Sequence, residues 1–310
     1  MSRNKRLHNA NKSKKDEFYT QMIDIEKELK NYKEHFKGKI VFCNCDDPQY
    51  SNFWKYFELN FINLGLKKLI ATYYNETSSS YKLELEGIIE DNIIKLKKTK
   101  TKLIGNGDFR SDECIDILKE SDIIVTNPPF SLFREYIAQL IKYDKKFIVL
   151  GNQNAITYKE IFKLIKNNEI WLGESIHSGD REFRVPDEYP VKTSSFRIGE
   201  NGEKYIKVSG VRWFTNLDYK ARHKDLILYK TYNEHEYPKY DNYNAINVSK
   251  TKEIPLDYDG VIGVPITFMD KYNPSQFEII QFRKGDDGKD LSINGKCPYF
   301  RILIKKRDAH

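Results

Sequence analysis

Short apolar runs alternate with amphipathic segments through the first two thirds of the chain, and no other feature of the sequence constrains the fold as strongly. Strands that run parallel to each other need a crossover between them, which is usually a helix. Helices that cover both faces of such a sheet bury the strands, so the strands read as continuous apolar runs. The sequence therefore predicts an α/β fold with a doubly wound, mostly parallel sheet. The predicted strands are 39–43, 66–73, 122–126, 146–150, 169–172 and 211–217, and the predicted helices are 20–36, 51–65, 111–120, 131–143 and 157–167.

Other stretches interrupt this alternation. Two segments near 82–86 and 93–97 alternate apolar and polar residues, which predicts a β-hairpin excursion. The stretch 174–210 is rich in turn residues and receives no assignment. Six Lys and Arg without an acid near the N-terminus predict a disordered basic arm, and the fading of helical periodicity late in the chain indicates a second, smaller region. The predicted organisation is a disordered basic arm, a main domain and a C-terminal region, at 1–15, 16–218 and 219–310.

The chain carries a net charge of +7 from 52 basic and 45 acidic residues. That mild excess permits a polyanionic partner such as nucleic acid without requiring one. The four cysteines are scattered, which is typical of a reduced cytoplasmic protein and not of a disulfide scaffold. No apolar run reaches the roughly 18 residues that a membrane helix needs, and the first residues lack the apolar core of a signal peptide. Neither the cysteines nor the six histidines show metal-ligand spacing, so no metal site is expected. The cysteine pattern and the lack of a signal peptide and of a membrane helix predict a cytoplasmic location.

The tetrapeptide Asn127-Pro128-Pro129-Phe130 directly follows a predicted buried strand and precedes a predicted helix. In an open parallel sheet, ligands bind at the carboxyl ends of the strands. The two prolines have a fixed φ and no N–H, so the Pro128 carbonyl is held in place as a bare acceptor. The Asn127 side-chain oxygen is a second acceptor, and Phe130 offers a flat apolar face. Together these residues predict a site that holds a planar heterocycle by its exocyclic amino group.

Such a grip favours methyl transfer to the amino nitrogen. The lone pair of an aromatic amine is delocalised into the ring, and two acceptors draw the nitrogen toward tetrahedral geometry. The nitrogen can then attack a sulfonium methyl in line. Because the proton can leave after transfer, no strong base is needed, and catalysis rests on orientation and electrostatic preorganisation. The alternative interpretation of the same residues is a strand end capped by a Pro-Pro turn.

Asn-Pro-Pro-Phe resembles the signature of the amino-methyltransferases, in which Asn, Asp or Ser precedes Pro-Pro and an aromatic residue. More closely, the chain resembles the EcoRI-type adenine-specific (N6) DNA methyltransferases. The resemblance spans nearly the whole chain and is weakest over 75–104 and 174–210. The resembling segments are DEFYTQ (16–21), VFCNCDDP (41–48), SNFWKYF (51–57), NLGLKKLIA (63–71), GDFRS (107–111), TNPPFSLFREY (126–136), IKYDKKF (141–147) and INGKCPYFRILIK (293–305).

The resemblance implies a seven-stranded-type methyltransferase sheet with S-adenosylmethionine as the cofactor. It also implies that a segment near the N-terminus contacts the methionine end of the cofactor, that the turn after the first strand faces the cofactor, and that an acid and an aromatic residue hold its adenine. Asn127 is expected to contact both cofactor and substrate. The residues that take the other roles by resemblance are Phe18, Tyr19, Thr20, Asn44, Cys45, Asp46, Asp108 and Phe109.

Three points depart from the family pattern or stay open. The turn at 44–47 lacks the Gly-rich sequence that most methyltransferases carry there. The acid that binds the ribose hydroxyls is unassigned, because the end of the second strand offers Tyr73 and Tyr74 with Glu76 further on. The alternative role of Asp108 is that of a turn residue that caps the next helix.

The order of the segments implies that the C-terminal region recognises double-stranded DNA, and that the target adenine is rotated out of the stack to reach Asn127. Arg134 is a candidate phosphate contact, with a plain surface position as the alternative. Further candidates, which suit base edges or phosphates, are Arg222, His223, Lys224, Asn242, Asn244, Asn247 and Lys250. The resemblance implies a GAATTC-like palindrome within restriction–modification, with a cognate restriction endonuclease acting on the same site without stable contact.

Two other functions stay open at this point. One is an amino-methyltransferase of the same fold that acts on cytosine N4, RNA or protein, although Ser or Asp in place of Asn127 would favour cytosine N4 more. The other is a non-catalytic DNA-binding module with a decayed cofactor site, which the missing Gly-rich turn favours. The intact tetrapeptide argues against this second alternative.

Overall fold

The structure is a computed structural model, and it describes residues 18–45, 47–75, 80–91, 93–187, 189 and 196–307. The predicted basic arm at 1–15 lies outside the described residues. The chain divides into two compact units. The first consists of Met1–Ala155 and Ser178–Leu217, and the second of Ile156–His177 and Asp218–His310.

The first unit is built on a large sheet with helices along its connections. Its helices are α1 (Met22–Leu29), α2 (Asn52–Asn60), α3 (Asp112–Glu120) and α4 (Phe133–Lys142). Its strands are β1 (Tyr19–Thr20), β2 (Ile40–Cys43), β3 (Lys68–Tyr73), β4 (Tyr81–Glu90), β5 (Ile93–Lys102), β6 (Ile123–Thr126), β7 (Lys146–Asn152), β9 (Asp180–Val185), β10 (Phe196–Ile198), β11 (Lys204–Ser209) and β12 (Val211–Thr215).

Four strands at the centre of the large sheet are parallel, in the order β3-β2-β6-β7. Val41, Ile124 and Ile148 on these strands are fully buried, as expected where helices cover both faces. The flanks are antiparallel, since β4 and β5 extend the sheet beside β3, and β12 pairs with β7. The prediction of an α/β fold with a parallel sheet is therefore confirmed for the centre of the sheet, whereas the strands at its margins pair antiparallel.

The strands and helices predicted between residues 20 and 217 are all present, with shorter bounds in most cases. The first predicted helix continues as a 3₁₀ segment at Lys30–His35, and α2 ends at Asn60, ahead of the turn that Gly65 closes with a φ of +63°. Ser51 is the N-cap of α2, as predicted, because its hydroxyl oxygen accepts hydrogen bonds from the backbone N–H groups of Phe53 and Trp54. The predicted hairpin is β4–β5, and it is longer than the alternating segments indicated.

The unassigned stretch 174–210 contributes three strands to a smaller antiparallel sheet. Its order is β1-β9-β11-β10, so the N-terminal strand β1 pairs with β9. Tyr19 lies opposite Arg184, and Thr20 lies opposite Phe183. This pairing fixes the backbone of residues 18–20 beside the large sheet of the same unit.

The second unit contains α5 (Lys159–Lys166), β8 (Trp171–Leu172), β13 (Ala245–Asn247), β14 (Val261–Pro265), β15 (Phe277–Phe282) and β16 (Arg301–Lys306). Four of its strands form a sheet in the order β13-β14-β16-β15, with Tyr240, Ala245, Leu291 and Leu303 in one core cluster. The predicted division at residue 218 lies beside the junction at Leu217 and Asp218.

The segment 156–177, which the sequence placed in the main domain, groups with the second unit. This is a correction, and its physical reason is packing within that unit. The ring of Phe162 on α5 lies 5.4 Å from the ring of Phe282, and Lys166 Nζ donates to the Ile280 carbonyl at 2.6 Å. No helix among the described residues is both long and apolar enough to cross a membrane.

Candidate active site

The carboxyl ends of β2 and β6 lie side by side because the two strands are parallel neighbours. Asn44 follows β2, and Asn127 follows β6. The Thr126 hydroxyl donates to the Asn44 carbonyl, and the Tyr136 hydroxyl donates to Asn44 Oδ1. Burial raises the pKa of Tyr136 well above its ordinary value, so this hydroxyl stays protonated and donates. These two bonds fasten the turn after β2 to the strand end that carries Asn127.

The side-chain amide of Asn127 is hydrogen-bonded through its nitrogen and, within the described part of the chain, unpaired at its oxygen. Its Nδ2 donates to the Phe18 carbonyl at 2.6 Å. A carbonyl oxygen can only accept, so this bond fixes which way the amide points. Asn127 Oδ1 is buried and has no hydrogen-bond partner among the described residues. A buried acceptor left unpaired is costly, which makes this oxygen a ready position for an incoming N–H donor.

Aromatic rings cluster around Phe18, whose carbonyl accepts from this amide. Phe130 is buried, and its ring meets that of Phe18 edge to face, with 6.0 Å between the ring centroids. The rings of Phe183 and Tyr189 lie 5.8 and 6.3 Å from that of Phe18. The environment of Asn127 is therefore apolar and aromatic, as suits the holding of a planar ring.

The two prolines between Asn127 and Phe130 differ in exposure. Pro128 is buried, whereas Pro129 is partly exposed. The Pro129 carbonyl accepts from the Leu132 N–H at 2.9 Å, which starts the short 3₁₀ turn Phe130–Leu132 ahead of α4. The alternative interpretation of the prolines as a turn that ends a strand therefore describes the backbone correctly, and it leaves the Asn127 oxygen without an explanation.

Thr20 is a second unsatisfied polar group near Phe18. Its backbone carbonyl accepts from Asn52 Nδ2 at 2.7 Å, which ties β1 to the first turn of α2. Its hydroxyl Oγ1 is buried without a hydrogen-bond partner among the described residues. Tyr19 is also buried, and its ring lies 5.9 Å from that of Tyr50. The sequence-predicted segment 18–20 thus contributes both a carbonyl that positions Asn127 and a free hydroxyl.

The turn after β2 has the backbone conformation that glycine favours, although it contains no glycine. Cys45 has a φ of +70°, the left-handed region that glycine adopts without strain, although no Gly-rich sequence is present. Asp46 lies outside the described residues. Asp47 Oδ1 accepts from the Gln49 N–H at 2.9 Å and from the Tyr81 hydroxyl at 3.2 Å. Burial, with the Asp47 carboxylate beside it, raises the pKa of Tyr81.

Asp108 is held by its own turn. Its carboxylate accepts from the backbone N–H, Nε and Nη2 of Arg110 at 2.9, 2.8 and 2.6 Å. These bonds to Arg110 keep the pKa of the Asp108 carboxyl below its usual value, so the group is ionised and acts only as an acceptor. The helix that follows is capped by Ser111, whose hydroxyl accepts from the Cys114 N–H, and not by Asp108.

Phe109 connects this turn to the rest of the site. Its ring is buried and lies 5.1 Å from the ring of Tyr136, in an edge-to-face arrangement, and its carbonyl accepts from Gln139 Nε2 at 3.1 Å. Phe109 and Arg110 also line a surface cavity of about 260 Å³ between α3 and α4, which Ile115 and Glu135 line as well. Tyr136 therefore touches both predicted cofactor segments, through Asn44 on one side and Phe109 on the other.

The predicted DNA contacts fall into two groups. Arg134 on α4 and Lys224 are exposed. Arg222 is buried, with its guanidinium 3.8 Å from the Trp171 ring centroid and hydrogen-bonded to Asn168 Oδ1. Asn242 Nδ2 donates to Asp287 Oδ1, and its Oδ1 accepts from the Ser292 N–H. Arg222 and Asn242 are committed to internal contacts, so a role in DNA binding is no longer proposed for either.

The other C-terminal candidates divide in the same way. Asn247 is buried, and its Oδ1 accepts from the Tyr240 hydroxyl and from Arg301 Nε. His223 Nε2 lies 2.7 Å from Asp218 Oδ1. Asn244 and Lys250 are exposed. In the part of the chain that the structure describes, no three His, Cys, Asp or Glu side chains converge as metal ligands would.

Three residues of the site carried no sequence prediction. Tyr136 lies on the apolar face of its helix, which the helical period gives, but its partner Asn44 is 92 residues away in sequence. Tyr81 and Asn52 likewise act through partners 34 and 32 residues away. Strand and helix periodicity indicate that such residues are near the core, yet they do not indicate which polar atom each one meets.

Comparisons with known proteins find one family and several relatives that match nearly the whole chain. Residues 6–307 match the family described as adenine-specific methyltransferase EcoRI. The chain is 59% identical to the type II methyltransferase M.EcoRI of Escherichia coli, over 98% of this chain and 97% of that protein. It is 42% identical to the type II methyltransferase M.MgeORF184P of Mycoplasma genitalium and 41% identical to the type II methyltransferase M.MpnI of Mycoplasma pneumoniae, each over 97% of this chain and 98% of the relative.

Proposed function

Because this chain belongs to the EcoRI family of adenine-specific methyltransferases, we propose that it transfers a methyl group from S-adenosylmethionine to N6 of adenine in double-stranded DNA. The observation that carries the proposal is the buried, unpartnered Oδ1 of Asn127 at the carboxyl end of β6. The oxygen lies where ligands bind in parallel sheets, and the Phe18 carbonyl holds the amide so that this oxygen faces away from it.

The chemistry follows from this acceptor. Asn127 Oδ1 accepts one N–H of the adenine amino group, and the Pro128 carbonyl accepts the other. The nitrogen is thereby drawn toward tetrahedral geometry, which frees its lone pair for attack on a methyl group in line. Phe130 and Phe18 hold the purine ring and exclude water. Since the amine proton leaves after transfer, catalysis consists of positioning and preorganised hydrogen bonding.

The residues around Asn127 fit the cofactor. S-adenosylmethionine supplies an electrophilic sulfonium methyl when it is bound. The unsatisfied Thr20 hydroxyl, together with the β1 backbone, would hold its polar methionine end. The Asn44–Cys45 turn would contact its centre, and Phe109 with Asp108 would hold its adenine ring. Asp108 is ionised and already paired with Arg110, so in this proposal one carboxylate serves both the turn and the adenine amino group.

We further propose that the target base is rotated out of the duplex, because its amino group is otherwise paired and out of reach of Asn127. That step costs a few kcal/mol, which stacking and phosphate contacts offset. Among the predicted contacts that are exposed, Arg134, Lys224 and Lys250 carry the charge that suits phosphates, and Asn244 suits a base edge or a phosphate. A GAATTC-like site is proposed in the context of type II restriction–modification in the cytoplasm, with a nuclease that recognises the same sequence as the functional partner.

The proposal is tested by incubating the protein with labelled S-adenosylmethionine and plasmid DNA, followed by identification of the modified bases and their sequence context. N6-methyladenine within one short sequence is the expected product. N4-methylcytosine, or label in RNA or protein only, would establish one of the alternative amino-methyltransferases. DNA binding without cofactor binding or transfer would establish a non-catalytic module.

Asn127→Ala removes the acceptor while keeping the surrounding rings. We expect turnover to fall by about 10²–10³-fold, the usual effect of removing one preorganised hydrogen-bonding group, with DNA affinity largely retained. Asn167→Ala, at an exposed position after α5, is the control and should turn over as the wild type does. Single-turnover kinetics at saturating cofactor and DNA make the comparison. Normal turnover by Asn127→Ala would show that the assigned role is wrong.

A further inference from the structure

Strand β5 is an exposed edge strand with an unusual charge pattern. It lies at one margin of the large sheet, and all ten of its residues are exposed. Its sequence, IIKLKKTKTK, contains five lysines and no acid. The paired strand β4 carries three glutamates, of which Glu84 and Glu86 are bound by Lys68. Positive charge is therefore concentrated on the outer strand of the hairpin.

Three of these lysines share one face of the sheet, and we name Lys98, Lys100 and Lys102 the lysine row. Alternate residues of a strand point to the same side, about 6.8 Å apart. Lys98 Nζ lies 5.8 Å from the Trp54 ring and 2.5 Å from Glu58 Oε1, and Lys100 Nζ lies 3.7 Å from the Tyr81 ring.

The charges of the row are largely uncompensated. No carboxylate of the described residues lies within ion-pair distance of Lys100 or Lys102. Lys95 and Lys97 occupy the opposite face, where Lys95 pairs with Glu90 at 2.8 Å. The two faces of the same strand therefore differ in their surroundings.

The lysine row begins at the edge of the sheet that carries the candidate active site. Lys102 lies opposite Tyr81, and Tyr81 lies opposite Tyr73, the last residue of β3. The Tyr81 hydroxyl also reaches Asp47 in the turn after β2. Four strand spacings separate β5 from β6, the strand that ends at Asn127, which amounts to about 19 Å. Along a duplex with a rise of about 3.4 Å per base pair, that is roughly five or six base pairs.

We propose that the lysine row binds the phosphate backbone of duplex DNA that flanks the methylated site. The proposal rests on the proposed function, and it adds a surface outside the site itself. Two of the three ammonium groups of the row, those of Lys100 and Lys102, have no carboxylate partner among the described residues and are available to phosphate oxygens. Contacts of this kind add affinity and position the duplex without reading its sequence.

Charge also favours DNA over a second copy of the chain as the occupant of this edge. An exposed edge strand is a template for pairing with another strand, and lysines on such an edge oppose that pairing. Two copies of β5 side by side would bring ten lysines together without an acid between them. A polyanion instead gains from releasing its counterions when lysines bind it.

The test compares two double variants of the full-length protein, Lys100→Gln/Lys102→Gln and the matched control Lys95→Gln/Lys97→Gln. Both remove two charges from the same strand, but from opposite faces. DNA affinity is measured against salt with two duplexes that share the methylation site, one with about three flanking base pairs on each side and one with ten or more, lengths set by the rise of about 3.4 Å per base pair. The rate of methyl transfer at saturating DNA is measured for each variant in parallel.

For Lys100→Gln/Lys102→Gln on the long duplex, we expect Kd to rise roughly tenfold near 0.1 M salt, and the slope of log Kd against log salt to fall by about two. On the short duplex, its Kd should match the wild type. The control variant should bind both duplexes normally, and both variants should keep the wild-type rate at saturating DNA.

The proposal would be overturned by unchanged affinity and slope on the long duplex, or by equal losses in the two variants or on the two duplexes. It would also be overturned if the substitutions altered only self-association or binding to vesicles of anionic lipid.

Thermal unfolding confirms that each variant is folded. If the double variant is unstable, Lys102→Gln alone replaces it, with an expected slope change of about one. The identity of the methylated base is read from the wild type, so failure of the proposed function is seen separately.

Discussion

Gly107 shows how a single backbone position holds the site together. It has a φ of +77°, and a Cβ atom there would lie 2.4 Å from the Tyr73 carbonyl oxygen. The Asn75 N–H donates to the Asn106 carbonyl at 2.9 Å, which joins the same two segments. Only glycine therefore allows the turn that carries Asp108 to pack against the end of β3.

Gly107→Ala should destabilise the protein by several kcal/mol, because a left-handed alanine costs about 1–2 kcal/mol and the clash with backbone adds to it. Gly202→Ala is the matched control, since Gly202 has a φ of +82° and nothing within 4 Å of the added Cβ. Its cost should be the conformational part alone. Urea unfolding of both variants, with cofactor affinity by calorimetry, measures the difference. Equal losses in the two variants would contradict the role given to the Tyr73 contact.

For single residues, the sequence indicates the chemical role that a side chain suits better than it indicates which residues contact that side chain. The sequence singles out Asn127 and Phe130 because their composition and their place after a buried strand indicate a chemical role, which stays a prediction. Arg222 has the composition of a phosphate contact, but Trp171 and Asn168, 51 and 54 residues earlier in the chain, bury it. No local pattern separates an arginine that faces solvent from one that stacks on a distant ring.

Among elements, the helices were predictable from the helical period of their apolar residues, and the central strands from short continuous apolar runs. The small sheet was not, since β1 and β9 are paired across more than 160 residues and β10 is largely exposed. Pairing of this kind is decided by the partner strand and not by local propensity. The result matters for function, because Phe18, whose carbonyl accepts from Asn127, directly precedes β1.

The segment between β15 and β16 is held by ion pairs that respond to pH. Asp290 binds Arg283 and Lys284, and the hydrogen bonds from Arg283 lower its pKa from 3.8 to about 2. The folded state therefore gains stability above pH 3.8, the unfolded value, and loses this gain as the pH falls toward 2.

Asp290→Asn should accordingly be less stable than the wild type at pH 5, and the difference should shrink as the pH falls through this window. Because the pair is near solvent, the difference should stay below about 1 kcal/mol. Asp286→Asn is the control, since that carboxylate of the same segment makes no ion pair among the described residues. Unfolding free energies between pH 5 and 3 measure the effect. A difference between Asp290→Asn and the wild type that stays constant with pH would rule out this linkage.

For the whole molecule, the chain passes between the two compact units three times, near residues 155, 177 and 217. Composition and loss of helical periodicity revealed only the last of these passages. The first two were hidden because α5 has the same amphipathic pattern as the helices of the first unit, and the pattern of a helix does not specify which core it joins. The unit that contains the C-terminal region proposed to recognise DNA therefore also includes a segment from the middle of the chain.

A fragment of residues 218–310 should consequently fail to fold by itself. Without 156–177 it loses the Phe162 ring beside Phe282 and the Trp171 ring and Asn168 side chain beside Arg222, so it exposes apolar surface whose burial is worth about 25 cal/mol per Å². We expect no cooperative thermal transition for the fragment, and recovery of one when 156–177 is fused to it through a flexible linker. The same fusion with Phe162→Ala and Trp171→Ala should lose the transition, because these rings make the contacts that the added segment supplies. Cooperative unfolding of 218–310 alone would show that the second unit does not depend on α5.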